Sequence, residues 1–301
     1  MVRFMAFMQR SASPQFSLAR GGIARLGVLG LLALLAGCEG EVTMDLGTEL
    51  PADPNITQVV ADIRGLEFTK SGGGTETMEF RGSEQVDLID LADDNGVLRL
   101  FTSEQLSEGT YTGVRLLFDE DRADDAFVST FAGTQFPLNL ADSAPASLSF
   151  QIEDNESSSE SFTLLLDLRK SLSFDEDTDE YTLTPTLRAV ESSEMSRIEG
   201  NVSVTCLSGT LERGAVYLFQ NSDVTPDDID GAGVEPFATS PIFTVGGGFV
   251  YALRYLPAGS YTMAVTCIGN DDEPLTDEDL LFRNVVNVDV DDGETITRNL
   301  P

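Results

Sequence analysis

Past residue 40 the apolar residues mostly fall at every second position, in runs cut by Gly, Asp, Asn and Ser, and no long stretch carries the 3.6-residue period of a helix. The pattern predicts an all-β protein. Phe162, Leu164, Leu166 and Leu168 form one apolar row against Thr163, Asp167 and Arg169. Tyr181, Leu183, Pro185, Leu187 and Ala189 form another against Thr182, Thr184, Thr186 and Arg188. Pro185 has no N–H to give a ladder, so that strand is expected at an edge or at a bulge. Between Val59 and Phe68 the apolar phase slips at Gly65, which predicts a β-bulge. Val42, Met44 and Leu46 start the first strand.

The N-terminus follows a different pattern. Residues 1–37 hold Arg3, Arg10, Arg20 and Arg25, no acid, and the apolar run Leu26 to Leu35. A run of about ten residues is half of what a spanning helix needs, so it reads as a secretory leader. Leu35-Ala36-Gly37-Cys38 resembles the bacterial lipobox, which implies cleavage before Cys38 and acylation of that cysteine. The expected organisation is a lipoprotein signal peptide over 1–37, a short acylated tether over 38–41, and two β-sandwiches over 42–192 and 197–301. The polar stretch Glu191 to Ser196 forms the boundary between them. A tether of three or four residues reaches roughly 10 to 14 Å, which sets the first sandwich against the bilayer. Glu39 after the cysteine, where an aspartate would resemble an inner-membrane retention signal, favours the outer membrane.

Charge narrows the function classes. The sequence has 51 Asp+Glu, 18 Lys+Arg and no histidine, a formal net charge of −33. Catalysis through imidazole and His-ligated zinc are therefore excluded, and three cysteines are too few for an all-thiolate zinc site. So acidic a surface repels nucleic acid, and its field favours a protein partner with a basic surface. With Cys38 consumed by lipid, Cys206 and Cys267 remain. Both lie in alternating segments, Asn201 to Cys206 and Tyr261 to Cys267, with their thiols on the apolar side, so a disulfide is expected in an exported protein.

The acidic runs do not match a calcium-binding template. Asp175 to Glu180 has Asp at alternate positions but lacks the glycine and terminal glutamate of an EF-hand, so it reads as a hairpin loop, and Asp291-Asp292-Gly293 as a hairpin turn. Thr225 to Gly231 and Thr276 to Asp279 carry the cap and acid signals of one helical turn. A calcium site built from Asp227, Asp228, Asp230 and the Asp271-Asp272-Glu273 loop is the alternative to purely solvated loops. No catalytic residue, cofactor or metal ligand is assigned. The expected role is a non-catalytic structural or binding one, the alternatives being a calcium-dependent adhesion or glycan-binding module and a carboxylate-only hydrolase.

Five segments in order, Val59 to Phe68, Gln85 to Leu91, Leu106 to Leu116, Leu164 to Ser171 and Tyr181 to Arg188, resemble the domain-of-unknown-function family numbered 4382, found in exported bacterial lipoproteins. The resemblance covers about residues 42 to 192. It implies an Ig-like or transthyretin-like sandwich and an envelope location, and it brings no catalytic residues. Leu256 to Thr262 echoes Leu106 to Thr112 and resembles the turn-then-tyrosine strand of transthyretin-like and carboxypeptidase-regulatory-like modules. Tyr111 is out of phase with Val114, Leu116 and Phe118, which predicts either a bulge or two covered faces in the first domain.

Overall fold

A computed structural model describes residues 40–92, 96–142, 144–153 and 159–301. The protein is nearly all β, and the described residues from Gly40 to Pro301 belong to one compact unit. The strands up to residue 191 are β1 (Gly40–Glu49), β2 (Ile56–Lys70), β3 (Thr75–Asp87), β4 (Leu98–Leu106), β5 (Gly109–Phe118) and β6 (Phe127–Thr130), followed by β7 (Gln135–Leu140), β8 (Ala146–Ile152), β9 (Ser159–Asp167), β10 (Leu172–Asp175), β11 (Glu180–Leu183) and β12 (Leu187–Glu191). They build a four-stranded sheet, β12-β9-β1-β4, and an eight-stranded one, β10-β11-β7-β6-β2-β5-β8 with β3 also on β2. One core lies between them and includes Val42, Met44, Leu46, Phe68, Leu116 and Phe150.

The remaining strands are β13 (Ser196–Val202), β14 (Ala215–Gln220), β15 (Ala238–Pro241), β16 (Phe243–Val245), β17 (Gly248–Leu256), β18 (Gly259–Thr266), β19 (Arg283–Val290) and β20 (Thr295–Thr297). Sheets β16-β17-β13-β20 and β15-β14-β18-β19 enclose a second core around Ile198, Leu218, Leu253 and Met263. β14 is buried on both faces. On its outer side Tyr217 and Phe219 pack with Ile229 and Ala264 beneath loops that carry Val224, Leu280 and Phe282. Burying one such aromatic is worth about 2 to 3 kcal/mol, which is why these loops fold back over the sheet.

Several expected details are present. The ladders of β2 with β3 and with β5 both shift register between Ile63 and Gly65. A Cβ at Gly65 would lie 2.0 Å from the Met78 carbonyl oxygen, so the bulge requires glycine. A second shift falls between Tyr111 and Gly113. β10 and β11 form the hairpin around the acidic loop Asp175 to Glu180. The two echoing motifs share one device: Tyr111 donates to the Ser107 carbonyl and Tyr261 to the Pro257 carbonyl, each four residues back at 2.7 Å.

Other expectations are corrected. The strand read from Tyr181 to Ala189 is two strands in different sheets. Around Pro185 the N–H groups of Thr184 and Thr186 turn instead to Ser171, so the chain changes sheet there. Leu168 leaves the β9 row and opens a single helical turn, α1 (Leu168–Ser171), capped by the Asp167 carboxylate on the Lys170 N–H at 3.2 Å. The strand read to Cys206 stops at Val202. Asp291 to Gly293 is a turn but not a hairpin, because β19 pairs with β18 whereas β20 runs parallel to β13. Neither Thr225 to Gly231 nor Thr276 to Asp279 is helical.

Candidate functional site

Of the residues singled out in the sequence, Cys38 lies outside the described residues. The first described residue, Gly40, already belongs to β1. Cys206 and Cys267 form the disulfide, with Cα atoms 5.9 Å apart. Cys206 follows β13 and Cys267 directly follows β18, so the bridge clips the two sheets of the C-terminal sandwich together.

The acidic loops converge, though not in the expected combination. Asp228, Asp272 and Glu278 each bring a carboxylate oxygen within 4.8 Å of the others, and Asp230 and Asp277 make a similar group with Asp228. Asp227 lies beside Gly233, Asp271 pairs with Arg213, and Glu273 is exposed. Asp272 is fully buried and Asp228 is 2% exposed. Burial raises the pKa of Asp228, Asp272 and Glu278. Their donors come from the protein itself. The Glu278 N–H donates to Asp228 Oδ2, the Ile229 N–H to Asp272 Oδ1, and the Tyr217 hydroxyl to Asp272 Oδ2. These bonds tie the two loops over Tyr217 and explain why neither loop closes a helical turn. Glu278 escaped the sequence reading because only the fold brings its loop to Asp228.

The second concentration of charge lies where the two sandwiches meet. Arg188 of β12 donates from Nη2 to Glu49 Oε1 at 2.6 Å and to the Arg254 carbonyl at 3.0 Å, and from Nη1 to the Phe237 carbonyl at 3.1 Å. Lys170 donates to the Pro236 carbonyl, Arg169 to the Gly269 carbonyl, and Arg254 in return to the Ala92 carbonyl. Side chains from each sandwich thus satisfy backbone carbonyls of the other. Gly47 completes the fit: a Cβ there would stand 3.3 Å from the Tyr255 ring, so its absence lets the ring lie against β1. The sequence pattern sets Arg169 and Arg188 on the faces opposite the apolar rows. A lone strand pattern carries no sign that a second sandwich covers those faces.

Beneath this junction Glu49 and Asp167 are neighbours in the parallel β1–β9 register, 9% and 3% exposed. Glu49 Oε2 and Asp167 Oδ2 have no hydrogen-bond partner. Burial raises the Glu49 pKa to about 7; Arg188 opposes the rise and the Asp167 carboxylate adds to it. Near neutral pH a proton on Glu49 supplies the donor these oxygens lack. The pair is therefore a clamp below the interface and not a pair of carboxylates facing each other across a cleft, as glycoside hydrolysis would require.

Comparison with known proteins adds a family match over part of the chain. No curated protein matches the chain. Among solved structures, the chain is similar to the Bacillus anthracis TIE protein, at 12% identity and TM-score 0.19, over 86% of this chain and 33% of that one, so it spans about a third of that protein's length. It is also similar to the fimbrial anchor protein Mfa2 from Porphyromonas gingivalis, at 12% identity and TM-score 0.18, over 78% of this chain and 80% of that one. A third match is a fimbrial protein from Bacteroides ovatus, at 9% identity and TM-score 0.18, over 87% and 48%. Superpositions this loose carry no argument about ligand or assembly. Residues 39–185 match the family described as "Domain of unknown function (DUF4382)", and the chain carries a DUF4382 domain over that stretch.

Proposed function

We propose that this chain is a non-catalytic, lipid-anchored structural or binding protein of the bacterial cell envelope, acylated at Cys38 and held at the outer membrane. The observation that carries the reading is that Gly40, two residues past Cys38 in the chain, already lies in β1, an interior strand of its sheet between β9 and β4. A lipid on Cys38 would then attach to a rigid sheet and not to a flexible stalk. Two or three acyl chains suffice for stable anchoring, and among the described residues no helix is long and apolar enough to cross a membrane. The disulfide supports an oxidising compartment.

The junction with the second sandwich involves Gly47 and Glu49, at the far end of the ten-residue β1. At about 3.3 Å per residue this puts the Glu49–Arg188 contact roughly 30 Å along the strand from Gly40. Radiolabelled palmitate should enter the wild-type protein and not a Cys38→Ser variant, and the wild type should sediment with membranes. Unlabelled wild-type protein in the soluble cell interior would overturn the reading. The net charge of −33 favours a partner with a basic surface. Its capture should weaken between low and high salt, and capture indifferent to salt would refute that partner. The calcium-dependent alternative is weakened by the N–H and O–H donors that already serve Asp228 and Asp272.

A further inference from the structure

A cavity of about 230 Å³ opens where the two sandwiches meet. At its base Arg169 and Asp272 answer each other's charge. The Arg169 guanidinium donates to the Gly269 carbonyl and lies 5.9 Å from the centroid of the Tyr217 ring, whose hydroxyl donates to Asp272. Above this closed base the walls are of two kinds. Phe174 and Tyr181 are cross-strand partners in the β10–β11 ladder and share one face, with Asp53 beside them from the connection between β1 and β2. Opposite stand Glu273 and Leu275, from the connection between β18 and β19. Tyr181 is 8% exposed, and its hydroxyl has no hydrogen-bond partner among the described residues. Burial raises the pKa of this phenol and the charges of Asp53 and Glu273 raise it further, so the field of both carboxylates reaches the hydroxyl. Asp53 Oδ1 accepts from the N–H and the side-chain amide of Asn55, whereas Asp53 Oδ2 and the Glu273 carboxylate accept from no group among the described residues. An almost buried hydroxyl without a partner is costly, and here it shares its space with acceptors that also lack one.

These groups restrict the occupant. An anion meets the repulsion of two carboxylates and of the whole acidic protein. A bare metal ion needs carboxylate oxygens that close on one another, and among the described residues Asp53 and Glu273 do not belong to such a group. The aromatic pair, with ring centroids 4.6 Å apart, suits an organic cation instead, both as an apolar wall and through its ring faces. Phe174 and Leu275 are 38% and 78% exposed, apolar surface at the mouth that an alkyl chain would cover. A quaternary ammonium has no N–H to give, whereas a primary ammonium has three. We propose that this cavity binds a primary ammonium group carried on an unbranched alkyl stem. Its N–H groups donate to Asp53 Oδ2, to the Glu273 carboxylate and to the Tyr181 phenol oxygen, and the stem lies along Phe174 toward Leu275. The proposal goes beyond the anchoring role and does not depend on it.

Titration calorimetry of the full-length protein in detergent tests it at neutral pH, with n-pentylamine and Nα-acetyl-L-lysine N-methylamide as probes. At least one should bind saturably at one site. Binding of the amine alone assigns the site to a free alkylamine, and binding of the lysine derivative assigns it to a lysine side chain of another protein; both outcomes support the ammonium chemistry. Pentan-1-ol, which lacks the charge, and pentyltrimethylammonium, which lacks the N–H groups, should each bind at least about tenfold more weakly than pentylamine. Asp53→Asn combined with Glu273→Gln should weaken the bound probe by about tenfold, and Tyr181→Phe by about fivefold, both with an unchanged urea midpoint. Glu41→Gln combined with Glu104→Gln removes two exposed charges on β1 and β4 and should leave affinity as it is. Should Tyr181→Phe fail to fold, the paired carboxylate variants decide. No saturable heat with either probe, equal affinity for pentan-1-ol or pentyltrimethylammonium, affinity unchanged by loss of the Asp53 and Glu273 charges or of the Tyr181 hydroxyl, or the same weakening in the Glu41 and Glu104 variant would overturn the proposal.

Discussion

Replacing Glu49 by glutamine should stabilise the protein above neutral pH and leave it unchanged in acid. Glu49 is buried beneath the junction, and its pKa is raised from 4.5 to about 7 by burial, against the pull of Arg188 and with the Asp167 carboxylate adding to the rise. With a folded pKa above the unfolded one, the folded state holds a proton between these values that the unfolded chain has released. Stability tied to this group is full below pH 4.5, falls as pH rises, and is lost above about 7. Two to three pH units at 1.36 kcal/mol each give a loss of about 3 kcal/mol. Glutamine mimics the protonated acid: its oxygen can still accept from Arg188 Nη2, and its amide can donate to Asp167 Oδ2, which has the Lys170 ammonium 4.0 Å away but no hydrogen bond. Urea unfolding at pH 4.5, 6 and 8 should show the variant matching wild type in acid and exceeding it by up to about 3 kcal/mol at pH 8. Glu41→Gln, at an exposed position on the same strand, controls for losing one charge from an acidic protein. A variant less stable than wild type at pH 8, or a difference that does not change with pH, would refute the reasoning.

Reducing the Cys206–Cys267 bridge frees a loop closed over 61 residues and should cost about 4 kcal/mol in urea unfolding. Alkylation without reductant should label neither cysteine. Gly65→Ala drives a Cβ against the Met78 carbonyl at the bulge and should cost about 2 to 3 kcal/mol, read as a lowered urea midpoint. Because protein donors already serve Asp228 and Asp272, calcium titration should give no heat and chelator should leave the melting temperature unchanged; a chelator-dependent fall would assign the Asp228, Asp272 and Glu278 cluster to a cation.

What the sequence made legible is what local sterics and period decide. The Gly65 bulge, the slip at Tyr111, the Asp175 to Glu180 hairpin and the row Val42, Met44, Leu46 all follow from neighbours along the chain. The disulfide followed from the cysteine count and the compartment. What escaped depends on contacts between distant segments. Pro185 is expected at an edge or a bulge, but losing its N–H moves the chain into the other sheet, because Ser171 stands ready to take up the flanking N–H groups. The signals of a helical turn at Thr225 to Gly231 are real local preferences, overridden when Asp228 and Ile229 bond to the facing loop and Ile229 is buried beside Tyr217. Arg169 and Arg188 alternate with apolar residues as surface side chains do, yet both enter the junction with the second sandwich.

The placement of β1 bears on how the molecule resists traction. Its ladder with β9 is parallel and runs unbroken from Glu41↔Ser159 to Glu49↔Asp167. A pull on Gly40 along the strand axis loads that row of hydrogen bonds side by side, in shear, and must break many of them together. A hairpin peeled from its end gives way one rung at a time. The same strand ends at the Glu49–Arg188 contact, so mechanical load entering at its start is carried through a stiff sheet to the C-terminal sandwich without crossing a flexible hinge.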